Sequence, residues 1–194
     1  MTKVLLTGFE PFGKATLNPS GEIVKQISGD NIITAILPVA YAQSAERLLA
    51  LIAEHKPGVV ICLGQAEGRT QITPERVAIN LDDARLADND GVVRNDVPIV
   101  FGGPVAYEST LPIKDIAKAI NDAGVPAAVS LSAGAFLCNH VFYVAQNHFK
   151  GTKVRSGFVH VPLMDEQAGE FPGLPTMPLD QMVIAVRAML ETVS

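Results

Sequence analysis

The sequence has few cysteines, no long apolar run and no basic patch, and each absence excludes a class of protein. Two cysteines among 194 residues are too few for a disulfide scaffold. No stretch approaches the roughly 18 apolar residues of a membrane span. The apolar run within MTKVLLTGFEPFG, at the beginning of the sequence, is too short for a signal peptide. We therefore expect a soluble cytoplasmic protein with reduced thiols.

The charges and the short motifs exclude further functions. The 15 basic residues are scattered through a chain of net charge −5, which argues against nucleic-acid binding and favours a small or neutral ligand. The sequence contains no P-loop, no G-x-G-x-x-G and no G-x-S-x-G motif. It also lacks C-x-x-C and H-x-x-x-H pairs, so we expect no metal and no cofactor.

Short apolar runs alternate along the chain with helical patterns, which is typical of an α/β fold. Strands are predicted at 3–9, 31–39, 58–64, 76–82, 126–132 and 156–162. Helices are predicted at 18–27, 44–56 and 113–124, in the segment 130–148 with Cys138 in the first turn, and at 179–193. We expect one α/β domain over residues 1–194, a three-layer α/β/α open sandwich with a largely parallel twisted sheet. Residues 83–110, rich in Asp, Asn, Gly and Pro, are interpreted as a surface excursion that acts as a lid or a subunit contact.

Four short segments end predicted strands: Gly8-Phe9, Gly64-Gln65, Ser132-Ala133 and His160. In open α/β sheets, ligands bind at the carboxyl ends of the strands. The sequence therefore predicts that the functional site lies where these segments meet.

Cys138 is the candidate nucleophile. A free cysteine is commonly a small buried packing residue, and Cys62, inside VVICLG, fits that description. Cys138 instead follows a glycine-containing turn and lies in the first turn of a predicted helix. At that position the helix dipole and free N–H groups stabilise a thiolate and can bind an oxyanion.

A cysteine nucleophile needs a base, and the chain has four histidines. His55 is expected on the surface. His140 and His148 lie on the same predicted helix as Cys138 but point away from it, which favours structural roles. His160 follows an apolar run at the end of a predicted strand and is the best candidate base.

The base in turn needs a carboxylate to orient it, and Glu75, in QITPERVAIN, is the candidate. Taken alone, Glu75 could equally be a solvent-facing charge paired with Arg76. Three aspartates remain open as alternatives: Asp82, Asp83 and Asp88.

Five segments together resemble one known family. They are TGFEPFG with NPS (7–20), GQAEGRTQITPERVAIN (64–80), DAR with DNDG (83–91), SAGAFLCNHVFY (132–143) and GFVHVP (157–162). In this order, over nearly the whole chain, they resemble the pyroglutamyl-peptidase I, or pyrrolidone-carboxylate peptidase, family. The resemblance implies a cysteine exopeptidase that hydrolyses the amide bond after an N-terminal pyroglutamyl residue through an acyl-thioester intermediate. It also implies peptide substrates, no cofactor and a homotetramer.

The resemblance also implies roles for individual residues. Cys138 matches the nucleophile, His160 the general base and Glu75 the orienting carboxylate of the family. The residues that match the lactam pocket are Phe9, Phe12, Asn18, Gln65, Leu86, Phe136 and Leu137. Arg85 matches an arginine near the site that could assist the oxyanion. Leu86-Ala87 stands where the family usually has Ile-Pro, and Glu67 adds a charge to a loop that is usually neutral.

Two other functions remain open from the sequence. A nucleoside phosphorylase-like transferase would use a sandwich of similar architecture, since a fold does not determine a function. It would need a phosphate site, for which Arg69, Arg76 and Arg85 are available, but no recognisable phosphate loop is present. A catalytically silent ligand-binding protein is the second alternative, and an unreactive Cys138 would favour it.

Overall fold

A computed structural model describes residues 2–193 of the chain and contains nine strands and five α-helices in that range. In chain order the elements are β1 (Val4–Phe9), α1 (Pro19–Gln26), β2 (Ile32–Leu37), α2 (Tyr41–His55), β3 (Val59–Gln65), β4 (Thr73–Pro74), β5 (Val77–Ile79), β6 (Ala106–Glu108), α3 (Ile113–Asp122), α4 (Leu137–His148), β7 (Arg155–Val161), β8 (Leu163–Met164), β9 (Thr176–Met177) and α5 (Leu179–Val193). A short 3-10 helix, Asp165–Gln167, lies between β8 and β9.

The central sheet has five strands and is parallel except at one edge. Its strand order is β2–β1–β3–β7–β4, and only β4 runs antiparallel to its neighbour. The strands β1, β3 and β7 are buried almost throughout. Burial on both faces explains their continuous apolar sequences. Their carboxyl ends meet at one edge of the sheet, where Phe9, Gln65 and His160 line a common cavity.

Helices cover both faces of the sheet, which confirms the predicted three-layer α/β/α architecture. Apolar residues of α1, α3 and α5 pack on one face, against alternate residues such as Leu6 and Ile61. Apolar residues of α2 and α4 pack on the other face, against Leu5, Cys62 and Phe158. No helix within residues 2–193 combines the length and apolarity needed to cross a bilayer.

The beginning of α1 positions part of the site. Asn18 is the N-cap residue, and its side-chain oxygen accepts a hydrogen bond from the Ser20 N–H at 3.1 Å, while Pro19 occupies the first turn. The Asn18 side chain also donates to the Glu10 carbonyl at 3.0 Å. The backbone of α1 approaches β1 closely, since a Cβ on Gly8 would overlap the Ser20 carbonyl. These contacts fix the loop that connects β1 to α1.

Two predicted strands differ from the structure. Residues 126–132 form no regular strand and make only isolated bridges, Ile72 with Ala127 and Glu75 with Ser130. Residues 126–130 exchange backbone hydrogen bonds with 72–76, but Pro74, in the middle of this pairing, has no N–H to donate. Of 76–82, only Val77–Ile79 is a strand, and it pairs with β6 outside the central sheet.

The excursion at 83–110 is irregular apart from β6. Asp82 and Val97 close its base through two backbone hydrogen bonds, of 2.7 and 3.0 Å. Near its tip, the Asn89 N–H donates to the Val39 carbonyl at 2.8 Å. The Asp83 N–H also donates to the Ala135 carbonyl at 2.9 Å, so the excursion is attached both to the loop before α4 and to the loop after β2.

Candidate active site

A cavity of about 300 Å³ lies at the carboxyl ends of the parallel strands. Its walls come from β1, the β1–α1 loop, the end of β3, the loop before α4 and the end of β7. The lining residues are Phe9, Phe12, Asn18, Val39, Gln65, Ala66, Glu67, Arg69, Ala133, Gly134, Ala135, Phe136, Leu137, Cys138 and His160.

Cys138 is the second residue of α4 and lies half-buried against the sheet. A Cβ on Gly64 would come within 2.8 Å of the Cys138 Sγ and 2.6 Å of the Phe158 ring. Because Gly64 is the register partner of His160, the thiol lies over the junction of β3 and β7, beside the imidazole. The Cys138 sulfur can lie over these two strands only because Gly64 has no side chain.

His160 and Glu75 are joined by a buried hydrogen bond. The His160 Nδ1 lies 2.7 Å from the Glu75 Oε1, and both side chains are almost fully buried. The antiparallel pairing of Thr73 with His160 brings β4 alongside β7, and the Glu75 N–H donates to the Phe158 carbonyl at 2.9 Å. With Nδ1 engaged by the carboxylate, Nε2 is the ring atom left to act as a base.

Arg69 also belongs to this cluster, a role that the sequence did not predict for it. Its Nη1 donates to the same Glu75 Oε1 at 2.7 Å and also contacts the Thr73 hydroxyl, and its Nη2 donates to the Ser132 carbonyl at 3.1 Å. Its place in GQAEGRTQITPER was visible in the sequence, but its pairing with Glu75 was not. The guanidinium neutralises a carboxylate that would otherwise be buried with a single partner.

The environment favours a neutral thiol and a neutral imidazole. The pKa of Cys138 is raised to about 12, mainly by burial and next by the Glu75 carboxylate, while Arg69 opposes the rise. Burial lowers the pKa of His160, and its hydrogen bond to Glu75 opposes that change. The sequence led us to expect that the helix dipole favours a thiolate, and burial acts in the opposite direction on the pKa of this thiol.

The N-terminus of α4 is open toward the cavity. Phe136 is the N-cap residue and has no side chain able to cap the helix. The chain turns into the helix at Gly134, whose φ of +74° lies in the left-handed region that glycine tolerates. The first N–H groups of the helix, beside Cys138, are therefore available to an oxygen that gains negative charge.

Aromatic side chains form one wall of the cavity. The rings of Phe12 and Phe136 lie 6.1 Å apart at 47°, and Phe9 and Leu137 extend the apolar surface. A flat, uncharged ring fits such a slot better than a charged group does.

A hydrogen-bonded pair of buried glutamines, Gln65 and Gln167, lies beside the cavity. The side-chain oxygen of Gln65 accepts a hydrogen bond of 2.9 Å from Gln167, a residue not identified from the sequence. Gln167 in turn donates to the Leu17 carbonyl at 3.1 Å and accepts from the Met164 N–H at 3.1 Å. Gln167 thereby joins the loop that carries Asn18 to the end of β3.

Two residues predicted for the site are not brought to it. Arg85 and Leu86 lie exposed on the excursion and do not line the cavity, and Leu86 is 46% exposed. Cys62 is fully buried in the core between the sheet and α2 and α4, as expected for a packing residue.

The structure also separates the open carboxylate alternatives. Asp82 pairs with His140 and not with His160, Asp83 is exposed, and Asp88 accepts a hydrogen bond from the Tyr41 N–H at 2.9 Å. Within residues 2–193, no group of three or more His, Cys, Asp or Glu side chains is placed to hold a metal ion.

Comparison with known proteins places this geometry in context. A family model described as pyroglutamyl peptidase matches residues 2–194. The pyrrolidone-carboxylate peptidase of Vibrio vulnificus strain YJ016 is 48% identical over 197 residues, which cover 99% of this chain and 92% of that protein. The crystal structure of pyroglutamyl peptidase I from Bacillus amyloliquefaciens is 43% identical, with a TM-score of 0.95 over 98% of this chain and 94% of that one. The pyrrolidone carboxyl peptidase of Thermococcus litoralis is 37% identical, with a TM-score of 0.92 over 99% and 93%.

Proposed function

The chain belongs to the pyroglutamyl peptidase family, and we propose that it is a cysteine peptidase, one α/β domain, that removes an N-terminal pyroglutamyl residue from peptides. The observation that carries the proposal is the cavity in which Cys138 lies beside His160, itself bonded to Glu75. The family match does not support the transferase alternative. Arg69, one of the arginines considered for a phosphate site, is already paired with Glu75.

We assign the nucleophile to Cys138, the general base to His160 and the orienting carboxylate to Glu75. The 2.7 Å contact engages Nδ1 with Glu75 and leaves Nε2 as the ring nitrogen that takes the thiol proton. The carboxylate also stabilises the imidazolium that forms when the base takes a proton. Arg69 limits the basicity of this pair by sharing the same carboxylate oxygen.

The reaction follows from a resting pair that is neutral. When the substrate carbonyl reaches the sulfur, the Cys138 S–H proton passes to His160 and an S–C bond forms. The tetrahedral intermediate collapses as His160 returns the proton to the leaving amine, and the C–N bond breaks. Water then attacks the thioester with His160 as base, the C–S bond breaks, and Cys138 recovers its proton from His160.

The N–H groups at the beginning of α4 are proposed to stabilise the oxyanion. They lie beside the nucleophile and need no movement to meet the developing charge. Arg85, which the resemblance suggested for this task, is exposed on the excursion, so we assign it at most a distant electrostatic effect.

The lactam ring is proposed to lie in the aromatic slot. Phe9, Phe12, Phe136 and Leu137 supply apolar walls for a neutral ring that has no free amine to recognise. Gln65 is buried in the cavity wall, and the hydrogen bond from Gln167 fixes its amide orientation. Asn18 shapes the slot, because hydrogen bonds to the Glu10 carbonyl and from the Ser20 N–H hold its side chain in place. Leu86 would contribute only if the excursion moved inward.

We also propose that the protein is a cytoplasmic homotetramer. Its two free cysteines suit a reducing compartment. Phe101 and Val105 are 95% and 86% exposed on the excursion, which supports a contact between copies there. Sedimentation velocity tests the assembly, and a monomer at micromolar concentration would contradict it.

Release of a chromogenic amine from a pyroglutamyl amide tests the proposed activity. Cys138→Ala should abolish release, because no other group in the cavity can form the acyl intermediate. Cys62→Ser is the matched control and should retain most of the activity, because Cys62 lies in the core. Full activity in the Cys138 variant would refute the assignment.

A further inference from the structure

A second buried carboxylate repeats the arrangement around Glu75. Asp82 is fully buried, and its Oδ2 contacts the His140 Nδ1 at 2.9 Å and accepts a hydrogen bond from the Arg94 Nη1 at 2.7 Å. The side-chain exposure of Arg94 is 27%, so one part of this cluster reaches the surface. We call Asp82, His140 and Arg94 the second cluster.

The second cluster lies outside the cavity. None of its three residues lines the space that holds the thiol. His140 follows Cys138 by two positions on α4, so the two side chains point to different sides of the helix. The second cluster therefore does not perform the proton transfers assigned to His160.

Tyr41 connects the second cluster to the aromatic wall. The His140 ring lies edge-on to the Tyr41 ring at 5.3 Å, and the Arg94 guanidinium lies 4.3 Å above the centre of the same ring. On its other side, Tyr41 meets the Phe136 ring edge-on at 5.8 Å. Tyr41 itself is almost fully buried and does not line the cavity.

Backbone hydrogen bonds around the second cluster connect the excursion, the first turn of α4 and the beginning of α2. The His140 N–H donates to the Phe136 carbonyl at 3.0 Å, and the Asp83 N–H donates to the Ala135 carbonyl at 2.9 Å. Asp88 accepts from the Tyr41 N–H at 2.9 Å. The excursion, the first turn of α4 and the beginning of α2 therefore meet at one buried ionic group directly behind Phe136.

We propose that Asp82, His140 and Arg94 are positioning residues that hold Tyr41, and through it the Phe136 wall, in the conformation that accepts the lactam ring. The inference rests on the proposed function, because it deepens the account of the same slot. The second cluster sets the affinity for the ring, whereas the pair of Cys138 and His160 sets the rate of bond cleavage. The two effects are separable because they act through different faces of α4.

Tyr41→Leu tests the contact to Phe136 directly. It removes the edge-on ring contact and the cation–π contact while keeping an apolar residue. We expect KM for a pyroglutamyl amide, and the inhibition constant of 2-pyrrolidone as a free lactam, to rise roughly three- to tenfold. The value of kcat should stay within about twofold of the parent, because this ring does not touch the reacting atoms.

Two conservative variants show whether the contacts, and not merely a folded core, matter. Tyr41→Phe keeps the ring and removes only a hydroxyl that has no hydrogen-bond partner among the described residues. It should therefore keep most of the affinity for the lactam that Tyr41→Leu loses. His140→Asn keeps a side-chain N–H near the position of Nδ1 and should bind 2-pyrrolidone better than His140→Ala does. Each variant is first checked by thermal unfolding to be folded at the assay temperature.

The outcomes are distinguishable from those that test the proposed function. Unchanged KM and inhibition constant in folded Tyr41→Leu and His140→Ala would overturn this inference while leaving the peptidase activity standing. A fall in kcat with KM unchanged would overturn it as well. If the parent hydrolysed no pyroglutamyl amide, the proposed function would fail, and calorimetric titration with 2-pyrrolidone would still decide the role of the second cluster. No binding to the parent in that titration would overturn both.

Discussion

Two buried carboxylates in this protein have nearly the same partners and lie in different surroundings. Glu75 meets His160 and Arg69 through one oxygen, and Asp82 meets His140 and Arg94 through one oxygen. In each case the second carboxylate oxygen has no hydrogen-bond partner within the described chain. Only the first group opens onto a cavity with a thiol. A histidine paired with a carboxylate therefore becomes a base only where a nucleophile and room for a substrate accompany it.

Replacing each histidine in turn should produce the largest contrast. His160→Ala removes the base, and we expect kcat/KM for a pyroglutamyl amide to fall about 10³-fold. His140→Ala should leave kcat within about twofold and raise KM severalfold. Steady-state kinetics on both variants measures the difference, and equal losses of kcat would show that the two clusters are not functionally distinct.

Replacing the two carboxylates should likewise affect catalysis at Glu75 and stability at Asp82. Glu75→Gln keeps the size of the side chain but stabilises the imidazolium less, so kcat should fall about 10²-fold or more with little change in KM. Asp82→Asn should lower the free energy of unfolding by about 1–3 kcal/mol, because Arg94 loses its buried partner but can reach solvent. Urea unfolding and kinetics on both variants give the comparison. A change confined to KM in Glu75→Gln would count against an orienting role.

The arginines should differ in the pH dependence of activity. Burial lowers the pKa of His160, and the nearby Arg69 charge contributes to the lowering. The protonated imidazole cannot act as a base, so kcat/KM should decline as pH falls through this lowered pKa, below the ordinary value of 6.5. Arg69→Gln removes a cause of the lowering and should shift the decline to higher pH. Arg94→Gln should leave it in place, and a shift of equal size there would contradict the separation.

The smallest expected effect is on the free energy of unfolding above pH 10. It tests whether Tyr41 lies buried beside Asp82 of the second cluster. The pKa of Tyr41 is raised from 10.0 to about 12, first by burial and then by the Asp82 charge. Since the unfolded chain releases this proton at lower pH than the folded chain does, the free energy of unfolding falls as pH rises from 10 toward 12. Tyr41→Phe should remove this part of the fall, up to about 1.4 kcal/mol per pH unit. Identical alkaline unfolding of parent and variant would show that Tyr41 is not in this environment.

Much of the sheet and its helices could be predicted from the sequence, because buried parallel strands and amphipathic helices leave strong patterns. The strands β1, β3 and β7 and the helix α5 lie within a residue or two of their predicted bounds. The strand expected at 126–132 is wrong, since its pairing with residues 72–76 is interrupted at Pro74, which has no N–H, and only isolated bridges remain. Which residue lies opposite a strand is a tertiary property that a local pattern does not contain.

The candidate site divides in the same way. Cys138, His160 and Glu75 were selected by position and by family resemblance, and the structure brings them together. The choice of Glu75 over Asp82 could not be made from the residues alone, because the sequence does not show which histidine each carboxylate contacts. In the structure Glu75 contacts His160 and Asp82 contacts His140. The roles of Arg69 and Gln167 were missed because they come from side-chain contacts to other segments or across a turn. Such contacts leave no periodic pattern in the sequence from which they could be predicted.

The most direct test of the central claim is alkylation of the thiol, followed by hydrolysis of a pyroglutamyl amide on the same sample. The protein is treated with iodoacetamide for increasing times, and peptide mapping by mass spectrometry gives the fraction of Cys138 and of Cys62 modified. We predict that residual activity equals the fraction of unmodified Cys138, that Cys62 in the core stays unmodified, and that 2-pyrrolidone slows both losses together. Undiminished hydrolysis by protein whose Cys138 is fully alkylated would contradict the account.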